Sequence, residues 1–317
     1  MMYRIVLALI VLSGPLLARD LRIGLPIDCA PGETCHIQNY VDRDPGPGMA
    51  DFTCGALTYD GHTGTDFALP TYAEMQAGVD VLAVAPGTVL RVRDGMTDQV
   101  VRDPAEVADR ECGNGIVIDH GDGWQTQYCH LMQGSIAVEP GRRVRMGQPI
   151  GQVGLSGMTE FPHVELVVRK DGQVVDPFDR ANAQSCGGQA EPLWLESPGY
   201  EAGGFLTAGL APEVPSFGDL KAGRPQPSLG RNLPLVAWGL LFGGRDGDRV
   251  QISITGPDGT RIHEDESLLD RTQAQLFRAS GRRAPTGGWP SGIYRAELAL
   301  RRGEDVIDSV VAEARIP

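Results

Sequence analysis

Three short stretches carry side chains able to ligate a metal or move a proton: His62 and Asp66 in DGHTGTDFALP, His130 in YCHLMQGS, and His163 with Glu165 in FPHVELVV. In extended backbone, residues i, i+2 and i+4 share a face. His62 and Asp66 can therefore converge with Gly64 between them, and His163 and Glu165 leave the same side of a strand. An imidazole nitrogen beside a carboxylate oxygen is a donor mixture that suits Zn²⁺. His130, at the end of the strand-like GWQTQYC, is an imidazole able to orient a substrate or transition state near neutral pH. Taken singly, each of these also fits a turn or core histidine satisfied by a neighbour, because an isolated HxE triplet has no motif-level specificity.

The elements that must position these groups read as short strands punctuated by glycine. VDVLAVAPGTVLRVR, GNGIVIDHGDGWQTQYCHL, GQPIGQVGLSG and HVELVVRKDGQVVDPF form one β-rich series, with KDG as a hairpin signal in the last. The polar stretch DGMTDQVVRDPAEVADREC interrupts the series as a loop with a helical turn. A Gly/Pro-rich stretch over 187–230 reads as a linker. Beyond it, LPLVAWGLLFG, DRVQISITGPDGT, GIYRAELALRRG and EDVIDSVVAEARI recur at the spacing of a β-sandwich, with hairpin turns at GPDG and RRGED.

The ordered conjunction is more specific than any of its parts. HxxxD in a Gly-rich turn, AVAPGTVLRV, GNGIVIDHGDGW, YCHL, GQPIGQVGLSG and PHxE resemble the M23 metallopeptidases, the lysostaphin-like or LytM-domain peptidoglycan endopeptidases, over roughly residues 56–180. The resemblance implies an antiparallel β-sheet groove of duplicated-hybrid-motif type and one zinc ion that serves cleavage of wall peptides. It places metal ligation on His62 and Asp66 and catalytic roles on His130 and His163.

The family's HxH motif appears here as HxE, so the third ligand position falls on Glu165. A carboxylate reaches Zn²⁺ at about 2.0–2.2 Å, much as imidazole does. One histidine and two carboxylates make a formally neutral shell, which acidifies a bound water less than a shell of plus one. Two functions stay open: a secreted zinc endopeptidase acting on peptidoglycan cross-links, or a degenerate LytM-type domain that binds wall or activates a partner amidase. A serine hydrolase is disfavoured because GLSGM falls one residue short of GxSxG, and DHGDG lacks the carboxylate spacing of a calcium loop.

Composition bounds the remainder. A chain of 317 residues has room for two domains, and 42 Gly with 23 Pro favour turns and short strands over long helices, an all-β fold. The net charge of -13 argues against nucleic acid as a partner. A basic start and an apolar run over 5–12 read as a cleaved leader over 1–18, leaving no membrane span and a periplasmic or secreted protein. Six cysteines suit that oxidising location; Cys29 with Cys35 is the easiest pair, and Cys54, Cys112, Cys129 and Cys186 allow three connectivities. The expected order is a disulfide-braced segment over 19–55, the M23-like domain over 56–186, the linker, and an immunoglobulin-like sandwich over 231–317. His36 and His120 read as structural, and His263, in the C-terminal domain, has no partner identifiable from sequence. The sandwich is expected to be dispensable for catalysis and to aid wall binding.

Overall fold

Alternating burial shows directly why these segments are strands: in Arg249–Thr255 the residues Val250, Ile252 and Ile254 are buried and the ones between them are not. The computed structural model describes residues 20–181, 185–187 and 190–317; the expected leader over 1–18 lies outside them. In chain order the first part contains β1 (His36–Asn39), β2 (Thr65–Ala68), helix α1 (Tyr72–Ala77), β3 (Asp80–Leu82) and β4 (Gly87–Arg93). It continues through β5 (Asn114–Gly121), β6 (Trp124–Leu131), β7 (Arg143–Val144), β8 (Pro149–Gln152), β9 (His163–Lys170) and β10 (Gln173–Val174).

Their main sheet is antiparallel, in the order β1-β2-β9-β6-β5-β4-β7, with β10 paired to β9; β3 and β8 form a small second sheet. The KDG turn joins β9 to β10 with Asp171 and Gly172 both at positive φ, 51° and 81°, the geometry a two-residue hairpin needs. The polar stretch between β4 and β5 is a loop with one 3-10 turn, Pro104–Val107.

The second part contains β11 (Gly204–Ala211), helix α2 (Phe217–Ala222), β12 (Leu235–Gly244), β13 (Arg249–Thr255) and β14 (Arg261–Leu268), then β15 (Gln273–Arg282), β16 (Gly292–Arg302) and β17 (Asp305–Ile316). The sheets β11-β12-β15 and β14-β13-β16-β17 share one core, in which Leu235, Leu241 and Leu276 meet Val250, Ile252, Tyr294 and Leu298. This is an all-β molecule with a C-terminal sandwich. The sandwich starts earlier than the sequence reading had it, because β11 and α2 fall in the stretch read as linker.

Two features tie the parts together. The segment read as a disulfide-braced lead-in supplies β1, an edge strand of the main sheet. Strand β12 is buried along its whole length, which explains its unbroken apolar sequence. One face, with Leu235, Ala237 and Leu241, joins the sandwich core; on the other, Trp238 and Leu240 lie with Leu220 of α2, and Phe242 enters the N-terminal core. Disulfides join Cys29 to Cys35, as expected, and Cys54 to Cys186 and Cys112 to Cys129.

Candidate metal centre

Sheet register builds the site. Asn39 of β1 pairs with Asp66 of β2, Asp66 with Glu165 of β9, and Glu165 with Cys129 of β6, so four side chains form one row across four strands. Residues opposite one another in an antiparallel sheet share a face. The neighbours Phe67, Val164, Leu166 and Tyr128 point to the opposite face and lie in the core. His163, two residues before Glu165, joins the row's face.

His130 departs from this alternation. Strand periodicity would send it to the core after Tyr128 and Cys129, but its φ is 64°, in the left-handed region, where the β5–β6 register also shifts. The break lets His130 join the row while Leu131 returns to the core.

The side chains converge. His62 Nε2 lies 3.2 Å from Asp66 Oδ1 and 3.8 Å from Glu165 Oε1. His163 Nε2 is 3.6 Å from Asp66 Oδ1, and His130 Nε2 is 3.6 Å from Glu165 Oε2. One ligand atom from each of His62, Asp66 and Glu165 falls within 4.8 Å of the others. All five sequence-nominated residues are therefore brought into one cluster.

Each histidine is oriented the same way. Nδ1 donates to a backbone carbonyl, Tyr40 O at 2.8 Å for His62, Ser156 O at 2.8 Å for His130 and Phe161 O at 2.9 Å for His163. Nε2 is thereby the nitrogen presented to the cluster, the arrangement that sets the tautomer of a ligating or proton-relaying imidazole. Asp66 Oδ2 accepts a hydrogen bond from Asn39 Nδ2 at 2.8 Å, whereas buried Asp66 Oδ1 has no hydrogen-bond partner. An orphaned carboxylate oxygen facing an imidazole nitrogen and a second carboxylate fits a divalent cation.

The local field favours positive charge. Burial opposes protonation of His62, but Asp66 and Glu165 outweigh it and raise its pKa to about 9. Burial also works against ionising Asp66, and His62 and His163 overcome it, holding the carboxyl far below its usual range. Burial works against a charged His130, yet Glu165 raises it; for His163 burial prevails and the pKa falls to about 4. The carboxylates that retain a proton at His62 Nε2 are the same groups that would retain a metal.

Sequence reading does not single out the supports Asn39, the Tyr40 carbonyl and Thr159, the last at 3.2 Å from His163 Nδ1, and it names Gly64 only as the residue between His62 and Asp66. A Cβ at Gly64 would lie 2.4 Å from Glu165 Cγ, so glycine is what admits the longer side chain of Glu165. Ser156, set aside as a nucleophile, is fully buried; its hydroxyl donates to Leu131 O at 2.7 Å and accepts from Asn114 N at 2.9 Å. His120 and His263 are structural: His120 bonds Pro86 O and Thr126, and His263 bonds Ser280.

Comparison with known proteins decides the family of this region, since residues 60–177 match peptidase family M23. These residues form an M23 peptidase domain. Over 110 residues the chain is 34% identical to peptidoglycan DD-endopeptidase ShyA of Vibrio cholerae, covering 34% of this chain and 20% of ShyA. It is 33% identical over 94 residues to murein hydrolase activator EnvC of Escherichia coli, covering 29% of this chain and 22% of EnvC. Matched segments thus span about a fifth of each relative. The catalytic domain of the prophage-encoded M23 protein EnpA from Enterococcus faecalis is 26% identical, with a TM-score of 0.32, covering 50% of this chain and 96% of that one. The M23 domain contains every residue of the cluster, and its Asn39 support comes from the strand that precedes it.

Proposed function

We propose that the protein is a zinc metalloendopeptidase of the periplasm or cell exterior that hydrolyses peptide cross-links of bacterial peptidoglycan. The observation that carries this reading is the convergence of His62, Asp66 and Glu165 within 4.8 Å, with Asp66 Oδ1 buried and unpartnered. These three residues would hold one Zn²⁺, and a bound zinc would supply polarisation of the scissile carbonyl and acidification of a water.

The remaining chemistry belongs to the chain itself. Asn39 holds Asp66 Oδ2, so the carboxylate presents Oδ1 to the centre. His130 and His163, with rings 4.5 Å apart and Nδ1 committed to backbone carbonyls, offer two Nε2 atoms to orient the attacking water, take its proton and pass it to the leaving amine. Glu165 faces His62 through one oxygen and His130 through the other, a double engagement that a single imidazole nitrogen in its place would not provide.

A second reading has its own support in the similarity to a murein hydrolase activator and in the HxE departure: a domain that binds wall or switches on a partner amidase without hydrolysis. The deciding experiment loads purified protein with zinc, measures bound metal, and digests purified peptidoglycan, with Glu165→Ala in parallel. The enzyme reading expects one zinc per chain and released cross-link fragments, both lost in the variant. Wall binding without fragments would establish the activator reading instead, and absence of zinc at saturating supply would sink the metal assignment.

A further inference from the structure

Residues 159–162 lead into β9 and deliver His163, and this short segment is held from several sides. Val101 N donates to Thr159 O at 3.0 Å, and Leu69 N donates to Pro162 O at 2.9 Å. Glu160 O accepts two hydrogen bonds, from the Tyr72 hydroxyl at 3.1 Å and from Lys221 Nζ at 2.8 Å. Within the segment, Phe161 O takes the hydrogen bond that orients His163 at 2.9 Å, and the Phe161 ring stacks on the imidazole at 4.5 Å.

Lys221 comes from elsewhere in the molecule. It lies on α2, whose Leu220 is packed with Trp238 and Leu240 of β12 in the C-terminal unit. Its ammonium lies 5.6 Å from the Tyr72 ring and 5.7 Å from that of Phe217, a half-buried aromatic setting, while the Glu160 carboxylate pairs with Arg102 at 2.7 Å instead. Burial lowers the lysine's pKa below its ordinary value. A cation kept in such a setting and donating to a backbone carbonyl is doing a positional task, since solvent would serve its charge better.

We propose that Lys221 is a positioning residue for His163, so that the C-terminal unit is part of the catalytic scaffold. This rests on the peptidase reading above. Losing the ammonium leaves Glu160 O with Tyr72 alone and loosens the Glu160–Phe161 peptide, the unit directly before the Phe161 carbonyl that orients His163. Misplacement of a catalytic group on the order of 1 Å can cost up to about a hundredfold in rate.

The test compares Lys221→Met, which keeps the apolar stem, with Lys221→Arg in the full zinc-loaded chain. With a soluble cross-linked muropeptide, Lys221→Met is expected to lower kcat roughly tenfold and leave KM within about twofold, the pattern of a defect in catalytic geometry rather than binding. Zinc stoichiometry should stay at the wild-type value, and Lys221→Arg should restore most of kcat. Independently of activity, the amides of Leu69 and Val101, which bond to this segment, should exchange faster in Lys221→Met, while those of β5 and β6 keep wild-type protection. Unchanged kcat and exchange would overturn the proposal, as would Lys221→Arg being as impaired as Lys221→Met. If wild type cleaves no muropeptide, the peptidase reading falls, and the exchange of Leu69 and Val101 still decides whether Lys221 holds the segment.

Discussion

Among the residues of the site, the decisive one is Glu165. Whether a carboxylate can stand where HxH would place an imidazole turns on reach and room. Its oxygens reach His62 and His130, and room comes from Gly64, where a side chain would collide with Glu165 Cγ. Gly64→Ala should therefore weaken zinc binding by about 10- to 100-fold, the usual size of a lost supporting contact around a metal. Competition with a chromogenic chelator would read this directly. Affinity equal to wild type would show that Glu165 does not need the space that glycine leaves.

Strands, more than loops, place the chemistry. The row Asn39-Asp66-Glu165-Cys129 follows from register, and His130 enters because β6 breaks its alternation at a positive φ. Strand β1 also carries His36, buried against the Phe242 ring at 4.4 Å, with Nε2 bonded to Gln38 Oε1 at 3.2 Å. Burial lowers its pKa to about 4. The unfolded chain, with histidine near 6.5, then binds the extra proton between those values. Stability should accordingly be full above pH 6.5 and fall as pH drops towards 4, by up to about 3 kcal/mol from this group. Urea midpoints across pH 4 to 7 should slope less in His36→Gln than in wild type. Parallel curves would show that His36 does not set this dependence.

At the scale of the whole molecule, the two parts behave as one structure. Phe242 of the sandwich lies in the N-terminal core, Gln38 donates to Ala274 O at 3.0 Å, and Lys221 donates to Glu160 O in the segment that leads into β9. The sequence reading treated the C-terminal unit as separable; these contacts argue against that. Truncation before residue 204 would remove Phe242 and leave His36 exposed, costing at least about 3 to 5 kcal/mol by analogy with loss of a buried phenylalanine. Calorimetry should show one cooperative transition for the full chain and a much lower midpoint for the truncated form. Two independent transitions, with the N-terminal one unmoved by truncation, would refute this integration.

What the sequence determined by itself was local or periodic: strands from alternation, the KDG, GPDG and RRGED hairpins from turn chemistry, the Cys29–Cys35 loop from its shortness, and all five cluster residues from motif order. Those features depend on neighbours a few residues apart or on an ordered pattern of short motifs. The tertiary structure alone decided the pairing of Cys54 with Cys186 and Cys112 with Cys129, the β11 strand within a Gly/Pro-rich stretch, the turn of His130 onto the row, and the supports Asn39 and Lys221. Each depends on which distant segments become neighbours. The partner of Asp66 lies 27 residues away and Lys221 lies 61 residues from Glu160, separations across which no spacing rule operates. Only sheet register and the packing of β12 between two cores bring them together.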